Sequence, residues 1–472
     1  MTVTITGSSL TLDEVVRVAR GREQVVVDPA VVGRMAVGRS VVESVVASGS
    51  PAYGITTGVA ARKRHRLAPE EQAEHNHLMI ETLLVGQGPP APEDVVRATI
   101  LRLANGFATG RAGVRPVIVD RLVAALNDGA IVSVGIHGSV GMADLAPMAE
   151  LARGVLGDLE LAPKEAVSLV DNNAFSTAIA SLAIHDLERL LDALDAVAAL
   201  ELEAFSANLS ILHPAAAQSR PFPGVEQVIA RLRALLDGSS LWLEGSARNL
   251  QDPLSFRCLP QVHGAAREAL TYGHRQLAIE LNASQENPLI VPEEQTIISV
   301  GNFDPIVLAA ALDFLRLALA PVVTSACERL TKLMQAPSSG LPEGLSERPD
   351  FATTVFPQFI YAAAAIAGEA RTLAAPVSYE LPTTSIAEGI EDRVSMAPLA
   401  ARRLGEMVEL GERIAAIGLA VAMQAIQLRP PAVVGSGTAQ VLAAARACRG
   451  TQLGDVRPLV ELVRSGLLSS IR

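Results

Sequence analysis

The sequence predicts a mainly α fold, a bundle of long helices preceded by a small mixed α/β region, on three observations. Leu187, Leu190, Leu191, Leu194, Val197 and Ala198 recur at three- and four-residue steps, the spacing of one helix face. Asp304-Pro305 reads as a helix start, aspartate capping and proline in the first turn; that helix continues past Pro321, where a kink is expected. A third long helix runs from Ala400 to Gln427 and stops at Pro430-Pro431. Ahead of them, Thr2–Leu12 alternates apolar and polar residues as a strand does, Val25–Val27 is a second strand candidate, and Thr11 caps a helix beginning at Leu12. No linker or repeat divides the chain. Residues 1–472 are read as one domain, with a mixed N-terminal region over 1–110 and a helical bundle over 111–472.

Composition narrows the function. Of 472 residues, 49% are hydrophobic but only 3% aromatic, so the core is aliphatic and alanine-rich, which suits close helix packing. The net charge of −11, with no basic block, argues against a nucleic-acid partner. The apolar runs Phe359–Gly368 and Ile414–Met423 are too short to cross a bilayer core of about 30 Å. The helix after Pro305 carries Asp313 and Arg316, so no membrane association is expected. Cys258, Cys327 and Cys448 form no C-x-x-C pair, and the N-terminus lacks a basic-then-apolar leader. Both features fit a cytoplasmic protein without structural zinc. His75 and His77 on one helix would point to different faces, so no metal is expected. The long helices each present more apolar surface than one neighbour covers, which predicts subunit contacts.

The chemistry-bearing segments follow in order. Ala52-Tyr53-Gly54-Ile55-Thr56-Thr57-Gly58 sets a tyrosine, one of four in the chain, in a Gly- and Thr-rich loop. Gly138-Ser139-Val140-Gly141-Met142-Ala143-Asp144-Leu145-Ala146-Pro147 is a tight turn leading into a helix. Gln251-Asp252-Pro253-Leu254-Ser255-Phe256-Arg257-Cys258 carries an arginine suited to a forked carboxylate pair or to an intersubunit salt bridge. Asn282–Pro288, Gly301-Asn302-Phe303 and Glu391–Pro398 complete the set. There is no P-loop, dinucleotide fingerprint or nucleophile elbow.

Together these segments resemble, in order and over nearly the whole chain, the aromatic amino-acid ammonia-lyases. That resemblance implies a mainly helical homotetramer whose active sites are assembled from three subunits, acting on a small amino-acid-like substrate. It also implies roles: Tyr53 as the base, Arg257 and Gln251 toward the substrate carboxylate, Asn302 and Phe303 lining the pocket. Glu391 would face the substrate side chain or amine, or would simply occupy the favourable first turn of a helix. In the family, an Ala-Ser-Gly between Gly-Ser-Val-Gly and Asp-Leu-Ala-Pro cyclises to an electrophilic methylidene-imidazolone. Here only Met142 and Ala143 stand between Gly141 and Asp144, so the prosthetic-group loop is degenerate and no cofactor is expected. Ser139 is no substitute, because Val140 stiffens the backbone where cyclisation favours glycine.

Other departures accompany it. Leu254 replaces the family's tyrosine, Leu83 stands where the histidine enzymes carry histidine, and Asp171 replaces an asparagine. Asp304 follows Phe303 in place of histidine, either as a helix cap or as a further site carboxylate. A site with Asp171, Asp304 and Glu391 would be unusually anionic and able to hold a permanent cation. The implied reaction is β-elimination of an amine that needs no prosthetic activation, by the logic of ergothionase, the family branch that expels trimethylamine from a betaine. Alternatives are a cyclase, isomerase or conjugate-addition enzyme of a biosynthetic pathway, and a non-catalytic lyase homologue. A conventional histidine ammonia-lyase is the reading the loop chemistry supports least.

Overall fold

The computed structural model describes residues 2–348, 356–379, 387–448 and 454–471. Helices dominate, accompanied by three two-stranded sheets. The chain divides into two compact units. The first comprises Met1–Ala183, His274–Leu312 and Pro376–Arg402; the second comprises Ile184–Gly273, Asp313–Ala375 and Arg403–Arg472. The long helices Ala174–Phe205, Leu259–Leu281, Ile306–Met334 and Ala397–Leu428 each begin in one unit and end in the other.

In the first unit, Thr2–Ile5 pairs in parallel with Gln24–Val27. The opening strand is shorter than its alternation suggests, because Gly7 takes φ +86° and turns the chain before Leu10. Thr11 then caps Leu12–Ala19 in a capping box with Glu14, satisfying two otherwise orphaned amides. Glu93–Phe107 is almost wholly buried. Its buried Arg97 donates from Nε and Nη2 to the Val18 carbonyl and from Nη1 to that of Leu126, so its charge is spent on helix ends. The sheet Leu289–Val291 with Thr296–Ile298 is antiparallel, and its Ile290 packs with Val41, Val42 and Ile55.

In the second unit, the periodic leucines behave as their spacing predicts: Leu187, Leu190, Leu191, Leu194, Val197 and Ala198 are all buried. Helix Ile306–Met334 runs unbroken through Pro321. Asp304 Oδ1 accepts from the Ile306 amide at 3.1 Å, so Asp304 caps that helix. Among the described residues this helix alone is long and apolar enough to cross a membrane, by length and composition. It also carries the ion pair of Arg316 with Asp313, both side chains buried. Val307, Phe314 and Leu317 on the same helix are about half exposed.

Candidate active site

The turn at 138–144 is closed by its own hydrogen bonds. Ser139 Oγ lies 2.6 Å from Asp144 Oδ1 and accepts the Gly141 amide at 3.0 Å. Asp144 is fully buried and accepts from the Ser176 amide at Oδ2 and the Ser176 hydroxyl at Oδ1, both at 2.7 Å. Burial pushes its carboxyl above the usual range, and these donors oppose the shift. Backbone groups tie the turn to three neighbouring segments. Asp144 N donates to Asn172 O at 2.7 Å, Ala143 N to Phe303 O at 3.2 Å and Met396 N to Val140 O at 2.9 Å. The Ser395 hydroxyl donates to Gly141 O at 2.7 Å. Gly141 is required here: its φ is +78°, and a Cβ would stand 2.3 Å from Ser395 Oγ. Ala143 also takes φ +55°, while Met142 stays half-buried between them.

Tyr53 belongs to the same unit. Its loop is held by Thr56, whose hydroxyl accepts the Ala52 amide at 2.8 Å and donates to Ser50 O at 2.6 Å. A Cβ on Gly54 would meet Val167 at 3.4 Å, so the loop packs against helix Glu165–Val170. The Tyr53 hydroxyl oxygen accepts the Ala60 amide at 2.9 Å. Burial raises its pKa, the Ala60 donor opposes this, and the carboxylates of Asp171 and Glu391 raise it further. Tyr53, Asp171 and Glu391 are therefore brought together, and their mutual repulsion works against a free phenolate.

Asp171 terminates helix Glu165–Val170. Burial pushes it up to about 8, against the pull of Lys164 and the Asn287 amide, with Glu286 and Glu391 adding repulsion. Glu391 is exposed and lies six residues before helix Ala397–Leu428. The helix-first-turn alternative for this residue is thereby corrected: the chain between them is irregular, so no helix dipole acts on Glu391. Asp304 also pairs with Arg393, at 3.2 Å. Asn302 is exposed and donates to Ser284 O at 3.3 Å. Phe303 is half-buried beside Ala143, and Leu83 is half-buried in the turn after helix Gln72–Glu81.

Gln251, Leu254 and Arg257 belong to the second unit. Arg257 donates from Nη1 to Gln251 Oε1, which fixes the orientation of its fork, and Leu254 is 61% exposed. The segment is anchored from within its unit. Asp252 accepts the Asn208 amide at 2.6 Å, and Phe256 stacks on Phe205 with ring centroids 4.2 Å apart.

Two charged residues whose fields reach Asp171 escaped the sequence reading. Lys164 is fully buried, with φ +76°, and its Nζ donates to Ser168 Oγ at 2.9 Å. Glu286 is 2% exposed and accepts from Ser284 Oγ at 2.6 Å. The available signal was a lysine set among Leu161, Ala162, Pro163, Ala166 and Val167, an apolar stretch that implies burial of its charge. Among the described residues no group of three or more His, Cys, Asp or Glu side chains is placed to hold a metal ion.

The aromatic amino acid lyase family model matches residues 10–160 and 156–447. A histidine ammonia-lyase of Treponema denticola is 34% identical over 466 residues, 93% of this chain and 91% of that protein. Another, from Symbiobacterium thermophilum, is 34% identical over 494 residues, 98% and 96% of the two chains. Among solved structures, the ergothioneine-degrading ergothionase of Treponema denticola, in complex with desmethyl-ergothioneine sulfonic acid, superposes with a TM-score of 0.93 at 26% identity, covering 99% of each chain. Tyrosine aminomutase from Streptomyces globisporus gives 0.91 at 26% identity, covering 99% of this chain and 98% of that one. Histidine ammonia-lyase from Trypanosoma cruzi gives 0.90 at 27%, covering 99% and 94%.

Proposed function

The chain belongs to the aromatic amino acid lyase family, and we propose that within it this protein is a carbon–nitrogen lyase that works without a methylidene-imidazolone, eliminating an amine that is already a leaving group. The observation that carries the reading is the closed turn at 138–144. It is one residue short and has no serine between Gly141 and Asp144, and its only hydroxyl, on Ser139, is held by Asp144 and Gly141. Formation of the ring needs a serine followed by a yielding glycine, and neither is present at the required place. Without that electrophile a primary amine keeps its poor leaving ability, because no side chain here supplies equivalent transition-state stabilisation.

The anionic surroundings of Tyr53 support a substrate that is itself a cation. Bare, the cluster of Tyr53, Asp171 and Glu391 disfavours the phenolate. A quaternary ammonium placed against it reverses the sign, stabilising both the carboxylates and the phenolate. The Tyr53 phenolate then takes the β-proton, the electron pair of that C–H bond forms the C=C bond, and the C–N electron pair leaves with a neutral tertiary amine. Arg257, oriented by Gln251, holds the substrate carboxylate, and Asn302, Phe303, Leu83 and Leu254 line the substrate region. The reading includes a homotetramer in which neighbouring subunits complete each site. The half-exposed Phe314 and Leu317 on Ile306–Met334 support apolar subunit contacts. It also includes a soluble enzyme of a reducing compartment such as the cytoplasm, which suits three free cysteines.

The test is incubation of the purified protein with ergothioneine, with hercynine and with free histidine, watching for trimethylamine and the conjugated absorbance of an unsaturated acid. Turnover of a betaine with none of histidine is expected. Turnover of histidine alone, together with loss of two waters from the 138–144 peptide by mass spectrometry, returns the protein to conventional deamination.

A further inference from the structure

Helix Glu165–Val170 is bracketed by opposite charges: Lys164 precedes it and Asp171 ends it. The positive φ of Lys164 turns its side chain along the helix, so that Nζ reaches Ser168 one turn on, at 2.9 Å. Ser168 in turn donates to Ala112 O at 2.9 Å. Ser168 and Asp171 are three residues apart and share a helix face. The ammonium is therefore fixed inside the protein, fully buried and within the field of Asp171. A side chain added at Gly113 would strike Lys164 Cδ at 3.2 Å, so the lysine is walled in there as well.

A fully buried ammonium is costly unless anions surround it, and these are Glu286 and Asp171. The buried Arg102, within the field of Glu280 and Glu286, donates from Nη2 to Ala283 O at 2.9 Å. Arg39 faces Lys164 with the same sign, but its guanidinium is committed to Gly113 O at 3.1 Å, Pro163 O at 2.8 Å and Glu43 at 3.2 Å. Asp171 is also within the field of Glu286 and Glu391, and its own charge acts on Tyr53. Opposite charges thus act on one another pairwise, Arg102 with Glu280 and Glu286, Lys164 with Glu286 and Asp171.

We propose that Lys164 is a positioning residue, an internal counter-ion that sets the pH at which Asp171 becomes an anion and thereby the pH at which the pocket beside Tyr53 retains a cation. The inference rests on the cationic-substrate reading above and deepens it. Lys164 touches neither the substrate nor the reacting atoms; it acts through Asp171.

Two measurements separate this proposal from that reading. The first needs no ligand: the carboxyl band of Asp171, assigned by difference infrared spectroscopy against Asp171→Asn, is titrated in the full-length protein. Lys164→Met should move its midpoint upward by about one pH unit or more, and Lys164→Arg should restore it toward the wild-type position. An unmoved midpoint in Lys164→Met overturns the proposal whatever the substrate is. The second uses tetramethylammonium as probe, with calorimetric affinity measured from pH 6 to 10 (a range of about four units that brackets the expected midpoint). Affinity should rise with the ionisation of Asp171, and the rise should shift with it in Lys164→Met. A structural role alone lowers affinity or the unfolding midpoint evenly, without moving the pH of the rise. Should Lys164→Met fold poorly, Ser168→Ala releases the ammonium from its fixed position and is expected to give a smaller shift of the same sign. If the infrared midpoint shifts while wild type binds no tetramethylammonium, the counter-ion role stands and the cationic-substrate reading fails.

Discussion

The two units of this protein bury ionic groups in contrasting ways. In the second unit the buried charges of Asp195, Glu201, Arg267 and Arg329 each meet an opposite charge at contact. Asp195 Oδ1 is 2.6 Å from His263 Nδ1, and its Oδ2 is 2.6 Å from Arg267 Nη2. Glu201 pairs with Arg329 at 2.5 Å, both fully buried. Burial alone would raise the pKa of Asp195, yet His263 and Arg267 together hold it below the usual carboxylate range. In the first unit, among the described residues, Lys164 meets the Ser168 hydroxyl in place of an anion and Asp171 has no ion pair at contact. Burial drives both toward neutrality, the acid up to about 8 and the lysine down to about 8. Paired charges fix a structure, whereas under-compensated ones remain poised to change state when a ligand arrives. Poised groups of this kind tend to mark functional sites, which supports the role proposed for the first unit's cluster.

Substitutions test that contrast from both sides. The largest effect is expected from Tyr53→Phe, which removes the proposed base: turnover of a betaine substrate should fall by about 10²- to 10⁴-fold while the thermal unfolding midpoint stays unchanged. Next, Asp195→Ala strands His263 and Arg267 in the core and should cost about 3–5 kcal/mol in urea unfolding. Asp171→Asn, by contrast, should leave the protein folded. Ser139→Ala deprives buried Asp144 of one donor and opens the turn at its base, a loss of about 1–3 kcal/mol by the same unfolding measurement.

The smallest effect is the most diagnostic. Because the folded pKa of Asp171 lies above its unfolded value, its contribution to stability is complete below pH of about 4 and is lost as pH rises toward 8. Lys164 runs the other way: its folded pKa is depressed, so its contribution is present above its unfolded value and is lost as pH falls through about 8. Between about pH 4 and 8 the acid therefore governs the slope. Asp171→Asn should flatten the decline of wild-type stability between pH 5 and 8. An identical slope in both proteins would mean that Asp171 is not held protonated by its surroundings.

Much of the fold was legible because periodicity and caps are local properties. The leucine stripe at 187–198, the Thr11 capping box and the Asp304-Pro305 helix start all depend on neighbours within a few residues, and all are seen. Tyr53, Asp171 and Glu391 could be nominated together only through family resemblance, since more than 100 positions separate each from the next. Of the two alternatives for Glu391 the helix-first-turn one fails, since sequence position cannot say that five irregular residues separate it from the helix that follows.

By itself, then, the sequence determined a mainly helical lyase scaffold, the missing residue in the 138–144 turn, and carboxylates at Asp171, Asp304 and Glu391. Only the tertiary structure decided that Ser139 is bound to Asp144, that Lys164 is sealed inside, and that the Tyr53 hydroxyl lies within the field of Asp171 and Glu391. The reason is physical. Helix formation is decided over a few residues by backbone hydrogen bonds and side-chain spacing, whereas the charge state of a buried group depends on which distant residues replace its water.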